Sequence, residues 1–216
     1  MIKGLFIKDL RLMMVQRSFF LLIVLMGLFI GVFTENVSFI IGYLTFAGGI
    51  FTVTTMSYDE FDNGNAYLFT LPITRKGYVV EKYIFGMTIG ITSWIIAMIM
   101  SITIYMIKGG SIFNEIVMSG LSVIPAMIFI VSVMIPIQLK FGGERGRVAV
   151  LALLGAMMAI GISIVNILTN SGVSISSINI SDIGMNMAIL LFTIISFIIM
   201  GISYIISVGV IKRKEF

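Results

Sequence analysis

The sequence predicts an all-α integral membrane protein with six transmembrane helices, an N-terminal interfacial helix and a short cytosolic helix between spans 2 and 3. Hydrophobic residues make up 59% of the chain and charged residues only 11%, whereas about 25% of an ordinary soluble domain is charged. A bilayer core of about 30 Å needs roughly 20 apolar residues per span. Windows of this kind fall at about 18–34, 37–57, 84–107, 116–138, 148–169 and 184–210. Residues 1–216 therefore form a single membrane domain.

The basic residues predict the topology. Thirteen of the 14 precede the first window, follow the last one, or lie in the loops after the second and fourth windows, and Lys108 alone lies elsewhere. The positive-inside rule assigns the basic side to the cytosol, so both termini are expected there. Because topology accounts for the net charge of +4, we expect no nucleic-acid partner.

Residues 1–17 are typical of an amphipathic helix that lies in the membrane interface. Lys8 and Arg11 share one face, apolar residues recur on the opposite arc, and Asp9 interrupts that arc. We interpret this segment as an elbow helix at the cytosolic headgroups that responds to a partner. The alternative is a frayed terminus that only anchors the topology.

The second window is rich in threonine. Thr45, Thr52 and Thr55 are candidates to line a translocation path. The alternative is that their hydroxyls bond back to their own helix and serve packing.

Several kinds of chemistry are missing from the sequence. Without cysteine or histidine, the chain has no thiol nucleophile, no disulfide and no histidine-based metal site, so we expect it to bind no metal or cofactor. The six windows contain no Asp, Glu, Lys, Arg or His, which argues against ion-coupled transport because a driving ion needs a binding group. A phosphate-binding GxxxxGK[ST] motif is also missing. The chain should therefore obtain its energy from another protein.

The longest polar interruption, residues 58–83, is the candidate docking site for that protein. Asp62 or Asn63 can cap a short helix over residues 65–70, Pro72 ends it, and Thr74 can cap the next helix. We expect the short helix to expose an apolar group, Tyr67, Leu68 and Phe69, to a cytosolic partner. The alternative is an amphipathic turn that rests on lipid headgroups.

These residues resemble the permease subunits of bacterial ABC-2 type exporters, especially the small six-span permeases of phenol-soluble modulin and bacteriocin-immunity exporters. The shared pattern consists of Lys8-Asp9 with Arg11, Tyr58-Asp59-Glu60, the run Leu71-Pro72-Ile73-Thr74-Arg75-Lys76, and Lys82-Tyr83. In topology the resemblance covers the whole chain, whereas its specific residues lie in the first 17 positions and in 58–83.

The resemblance implies two six-helix permeases, identical or paralogous, in a bacterial cytoplasmic membrane. Each would bind a separate ABC ATPase subunit that carries the ATP and Mg²⁺, so this chain itself is not an enzyme. The loop would provide a coupling helix and its flanks, comprising Asp59, Glu60, Asp62, Asn63, Tyr67, Leu68, Phe69, Arg75 and Lys76. Lys8, Asp9 and Arg11 would belong to the elbow helix.

The expected cargo is an amphipathic or antimicrobial peptide or another hydrophobic molecule, moved out of the cell. Two other classes of function stay open. One is a secondary transporter or channel that needs no ATP, and the other is a non-transporting membrane immunity or assembly factor.

Overall fold

The computed structural model describes residues 2–34, 37–61, 64–108, 113–142 and 184–214, together with scattered positions between 145 and 163. Within these residues the regular structure is helical throughout, which confirms the all-α prediction for this part of the chain. The helices are α1 Ile2–Val15, α2 Arg17–Phe33, α3 Phe39–Glu60, α4 Gly64–Thr70, α5 Arg75–Ile107, α6 Phe113–Phe141 and α7 Met185–Arg213.

Four of these helices, α3, α5, α6 and α7, are long and apolar enough to cross a membrane. Helices α1 and α2 meet at a bend of 67° and provide a fifth candidate span if they are taken together. The predicted window at 148–169 lies almost entirely outside the described residues. The structure thus supports four to five spans, and the count of six stays a prediction.

Helices α3, α6 and α7 run in the same direction, and their ends meet the start of α5, which runs the opposite way. We call the end of the bundle where these helix termini meet the charged end. There the Lys214 Nζ donates to the Glu60 carboxylate at 2.8 Å and to the Leu139 carbonyl at 3.2 Å. At the opposite end, the Lys108 Nζ donates to the carbonyls of Gly31 and Thr34 at 2.9 and 2.6 Å. The loops that the charge pattern assigned to one side therefore meet at one end of the bundle.

The apolar core divides between the two ends of the bundle. A cluster at the charged end takes residues from every described helix except α2. Its buried members are Leu5, Met56, Leu68, Tyr78, Val79, Tyr83, Val131, Ile135, Leu139 and Ile211. A second cluster, which includes Ile40, Leu44 and Ile104, joins α3, α5 and α6 towards the opposite end.

Buried polar side chains connect the helices across this core. The Tyr83 hydroxyl on α5 lies 2.5 Å from the Ser203 Oγ and 3.0 Å from the Ser207 Oγ, both on α7. The Gln138 side-chain amide on α6 donates to the Ser57 Oγ on α3 at 3.1 Å. Because water is scarce inside a membrane protein, such pairs satisfy polar groups and fix how the helices face one another.

Helices α3 and α5 lie close together at Gly48. A Cβ atom at this position would lie 2.8 Å from the Ser93 Cβ and 3.4 Å from the Ile89 carbonyl oxygen. Neither atom belongs to the far end of a flexible side chain, so the two helices would have to separate. Glycine at this position is therefore what allows the close contact.

We predict that Gly48→Ala destabilises the fold by about 1–3 kcal/mol, because it overpacks this contact. Gly42→Ala is the matched control, since a Cβ at Gly42 on the same helix has nothing within 4 Å. Thermal unfolding of the purified variants in one detergent measures the difference. Equal midpoints for the two variants would contradict the packing described here.

Candidate functional site

The loop between α3 and α5 forms the short helix expected from the sequence. Helix α4 runs from Gly64 to Thr70, and the chain then enters α5, whose first turn is capped by Thr74. The Thr74 Oγ1 accepts a hydrogen bond from the Gly77 backbone N–H at 3.1 Å, which confirms the predicted cap. A Cβ at Gly64 would lie 2.7 Å from the Asp59 carbonyl oxygen, so the tight reversal before α4 favours glycine. Asp62 and Asn63 lie outside the described residues.

The three apolar side chains of α4 differ in exposure. Tyr67 is 72% exposed, whereas Leu68 is 8% exposed and belongs to the apolar cluster of the charged end. Phe69 is partly buried and its ring packs edge-on against Tyr78, with 5.8 Å between the ring centroids. The expectation that Leu68 is exposed is therefore wrong. A helix that lies across the end of a bundle turns one side inwards, and here that side carries Leu68.

The charged flanks of the loop are engaged within the chain. Glu60 pairs with Lys214, as described above. The Arg75 guanidinium donates to the carbonyls of Ile211 and Lys212 at 3.2 and 2.7 Å, so it satisfies two of the open acceptors at the end of α7. Lys76 is exposed. Among the predicted flanking residues that the structure describes, Lys76 is thus the most accessible to another protein.

Asp59 is buried in a charged cluster that also contains Lys8, Asp9, Glu81 and Lys82, which we call the Lys82 cluster. The Lys82 ammonium donates to the Asp9 Oδ2 and lies 2.8 Å from the Asp59 Oδ2. The Lys8 ammonium donates to the other Asp59 oxygen and lies 3.1 Å from the Asp9 Oδ1. The side chains of Asp9, Glu81 and Lys82 have no exposed area, whereas that of Lys8 is one-third exposed.

Electrostatics explains this composition. A single buried ammonium costs several kcal/mol in lost hydration, and closely placed carboxylates offset that cost. Lys82 has two such carboxylates, and the Tyr78 hydroxyl donates a further hydrogen bond to the Asp59 Oδ2 at 3.0 Å. Glu81 differs, because within the described residues neither of its oxygens accepts a hydrogen bond. Its Oε2 lies 3.8 Å from the Lys82 Nζ.

The Lys82 cluster joins three helices. Asp9 belongs to α1, Asp59 to the end of α3, and Lys82 to α5. Apolar contacts reinforce this junction, since Leu5 is buried in the core and the Phe6 ring packs edge-on against Phe85 at 5.7 Å. Helix α1 is therefore tied to the bundle by its inward face.

The three residues predicted for the elbow helix have different environments in the structure. Lys8 and Asp9 belong to the Lys82 cluster, whereas Arg11 is exposed on the outer side of α1. An interfacial position of α1 stays a prediction.

The three candidate path residues are all buried on α3. The Thr55 hydroxyl donates to the Thr52 carbonyl at 2.9 Å, which is the packing role given above as the alternative. The Thr52 hydroxyl faces Gly86 of α5, where a Cβ would lie 3.1 Å from it. Thr45 lines a cavity of about 240 Å³ between α3 and α6. Lining of a transport path by these residues stays a prediction.

Glu81, Lys82 and Tyr78 were not predicted to belong to a site, although Lys82 is part of the shared pattern given above. One signal was present, because Asp9 interrupts the apolar arc of α1 four residues after Leu5, and a carboxylate on such a face needs a partner. Within the described parts of the chain, no group of acidic residues has the arrangement of a metal site.

We predict that Lys82→Met destabilises the protein by about 3–5 kcal/mol, because it leaves the Asp9 and Asp59 carboxylates buried without their shared cation. Lys140→Met is the matched control, since Lys140 is exposed near the end of α6. Thermal unfolding in a lipid nanodisc is the measurement. An unchanged midpoint for Lys82→Met would show that the cluster does not hold α1 in place.

One comparison with known proteins identifies a family for the chain. No curated protein and no solved structure matches the chain. A family model does match, and it covers residues 4–212, which includes both the Lys82 cluster and helix α4. The chain therefore belongs to the ABC-2 family of transporter proteins.

Proposed function

We propose that the chain is the membrane-spanning permease subunit of an ATP-driven exporter in a bacterial cytoplasmic membrane, with both termini in the cytosol. Membership of the ABC-2 transporter family supports the class of protein. ATP and Mg²⁺ would be bound by a separate ABC ATPase subunit, and a second permease, identical or paralogous, would complete the transporter. The cargo would be an amphipathic or antimicrobial peptide or another hydrophobic molecule.

The observation that carries the proposal is the position of α4. It is a short helix at the charged end, anchored by Leu68 and presenting Tyr67 outwards. Two further apolar side chains beside it, Phe61 and Leu71, are 72% and 43% exposed. Exposed aromatic and aliphatic side chains around an anchored helix form a surface that a protein partner can bury.

The residues proposed for docking differ from those expected from the sequence. Tyr67, Phe61 and Leu71 now provide the apolar contact, and Lys76 contributes a positive charge at the start of α5. Asp59, Glu60 and Arg75 act behind this surface, because they hold the ends of the long helices together. Leu68 and Phe69 fix α4 to the bundle.

This arrangement offers a direct route for movement from the ATPase into the membrane. The α3 helix ends at Glu60 and α5 begins at Arg75, so a displacement of α4 acts on both helices. The Lys82 cluster transmits the same displacement to α1, and the Tyr83 hydrogen bonds transmit it to α7. Packed helices of this kind move as bodies, which is how closure of an ATPase could reshape a path between two permeases.

One observation favours a second candidate, a secondary transporter that needs no ATP. Glu81 is a buried carboxylate near the start of α5, 3.8 Å from the Lys82 ammonium and without a hydrogen-bond partner among the described residues, and a carboxylate there would offer a binding group for a driving ion. Flux by the purified chain in liposomes under an ion gradient alone, lost in Glu81→Gln, would favour this candidate. A requirement for ATP and a second protein would support the exporter.

We predict that Tyr67→Asp weakens association with the ABC ATPase, because it places a charge where an aromatic ring would be buried in the complex. Loss of a central aromatic contact costs about 2 kcal/mol or more, so at least about a 30-fold weaker complex is expected. Co-purification from cells that express both proteins, followed by titration of the ATPase, is the measurement.

The matched control is Phe33→Asp, because Phe33 is 73% exposed and lies at the opposite end of the bundle. Wild-type retention of the ATPase by Tyr67→Asp would refute docking at α4. Failure of the wild-type chain to retain any ATPase would refute the proposed class.

A further inference from the structure

A cavity of about 240 Å³ lies between α3 and α6, between the two apolar clusters of the bundle. It exists because Gly42 and Gly49 of α3 have no side chains to fill it. A Cβ at Gly42 would have no neighbour within 4 Å, and one at Gly49 would have a single neighbour at 4.0 Å. Val123, Met127 and Ile130 line the α6 side. The volume exceeds that of an apolar cavity of about 150 Å³ that accepts benzene.

One polar side chain lines this cavity without a partner. Thr45 is 1% exposed, and within the described residues its hydroxyl makes no hydrogen bond. Other threonines of the long helices bond back to their own backbone, as Thr88 and Thr103 do at 2.7 Å. A buried hydroxyl that lacks such a bond is uncommon, because leaving it unpaired costs about 1–3 kcal/mol. A ligand with a hydrogen-bonding group would satisfy it.

The lining restricts the kind of ligand. Besides the Thr45 hydroxyl it consists of aliphatic, aromatic and thioether side chains and of glycine backbone, with no charged residue. Val123 and Ile130 are only half-buried, so the cavity lies near the outer surface of a membrane-spanning bundle. Molecules that reach such a surface from the bilayer carry hydrocarbon chains.

We propose that this cavity binds one aliphatic chain of an amphiphile, with Thr45 hydrogen-bonded to a carbonyl, carboxyl or hydroxyl group of that molecule. Met127 adds an adaptable contact, since its unbranched thioether conforms to chains of different shape. Within the proposed exporter, the cavity assigns the cargo to chain-bearing amphiphiles. That assignment rests on the proposed function, whereas occupancy of the cavity does not.

Photolabelling of the purified chain in lipid nanodiscs tests the proposal without an ATPase. Palmitic acid with a photoactivatable group in its chain is the probe, and mass spectrometry locates the label. We expect labelling of peptides from α3 and α6 that excess unlabelled palmitic acid suppresses. Phosphatidylcholine with the same photoactivatable chain forms a second arm. Preference for the free acid would identify a single-chain amphiphile, and preference for the phospholipid would identify a membrane lipid.

Two variants and one control make the result specific. Gly42→Leu fills the cavity and should abolish the suppressible labelling, whereas Gly201→Leu on α7, where a Cβ also has nothing within 4 Å, should leave it unchanged. Thr45→Val keeps the shape but removes the hydroxyl, so labelling should weaken about two- to tenfold. Thermal unfolding verifies that each variant is folded. Equal labelling of the wild type and Gly42→Leu, or labelling by both probes that an excess of the matching unlabelled molecule does not suppress, would overturn the proposal.

Discussion

The arrangement of the charged end depends on the burial of the Lys82 ammonium. A cation without exposed area must be compensated where it lies, and here the compensation comes from Asp9 on α1 and Asp59 at the end of α3. Because both partners are distant in sequence, the requirement for a neutralised charge brings three helices to one point. Apolar packing alone has no direction, whereas this set of hydrogen bonds permits only one arrangement of α1 against the bundle.

The middle of the bundle is held differently. The charged end is fixed by ion pairs and by the Tyr83 and Gln138 hydrogen bonds. Between the two apolar clusters, α3 faces α6 across two glycines and across Thr45, whose hydroxyl has no hydrogen-bond partner among the described residues. Space for a ligand therefore lies beyond the most constrained part of the structure. In the proposed exporter, the ATPase would act on the rigid charged end, and cargo would bind in the cavity between α3 and α6. This division suits the transmission of movement from the ATPase to the cargo site.

Much of the fold could be predicted from the sequence, because spans of apolar residues and the caps around them are local features. Thr74 and the short helix before Pro72 are recognisable from a few neighbouring residues. The position of Asp59 is not local, since its partners lie 51 and 23 residues away in the chain. In sequence, Asp59 and Glu60 are adjacent acids in a polar loop, and nothing local shows that one is buried beneath Lys8 and Lys82. Charge read along the chain thus grouped the segments that meet at the charged end, but it did not predict the contacts they make there.

The difference between Tyr67 and Leu68 also depends on contacts that are not local in sequence. It explains how α4 can be anchored to the bundle and still present a side chain for the proposed docking. Successive residues of a helix point about 100° apart, so a helix of seven residues can turn one side chain into the bundle and the next away from it. Burial of Leu68 and the packing of Phe69 against Tyr78 hold α4 at the charged end, and this support would matter for the proposed docking at Tyr67. An aromatic ring on a flexible loop would move with a bound partner without displacing the helices. On an anchored helix, as in the proposed docking, the same ring would pass the displacement to α3 and α5.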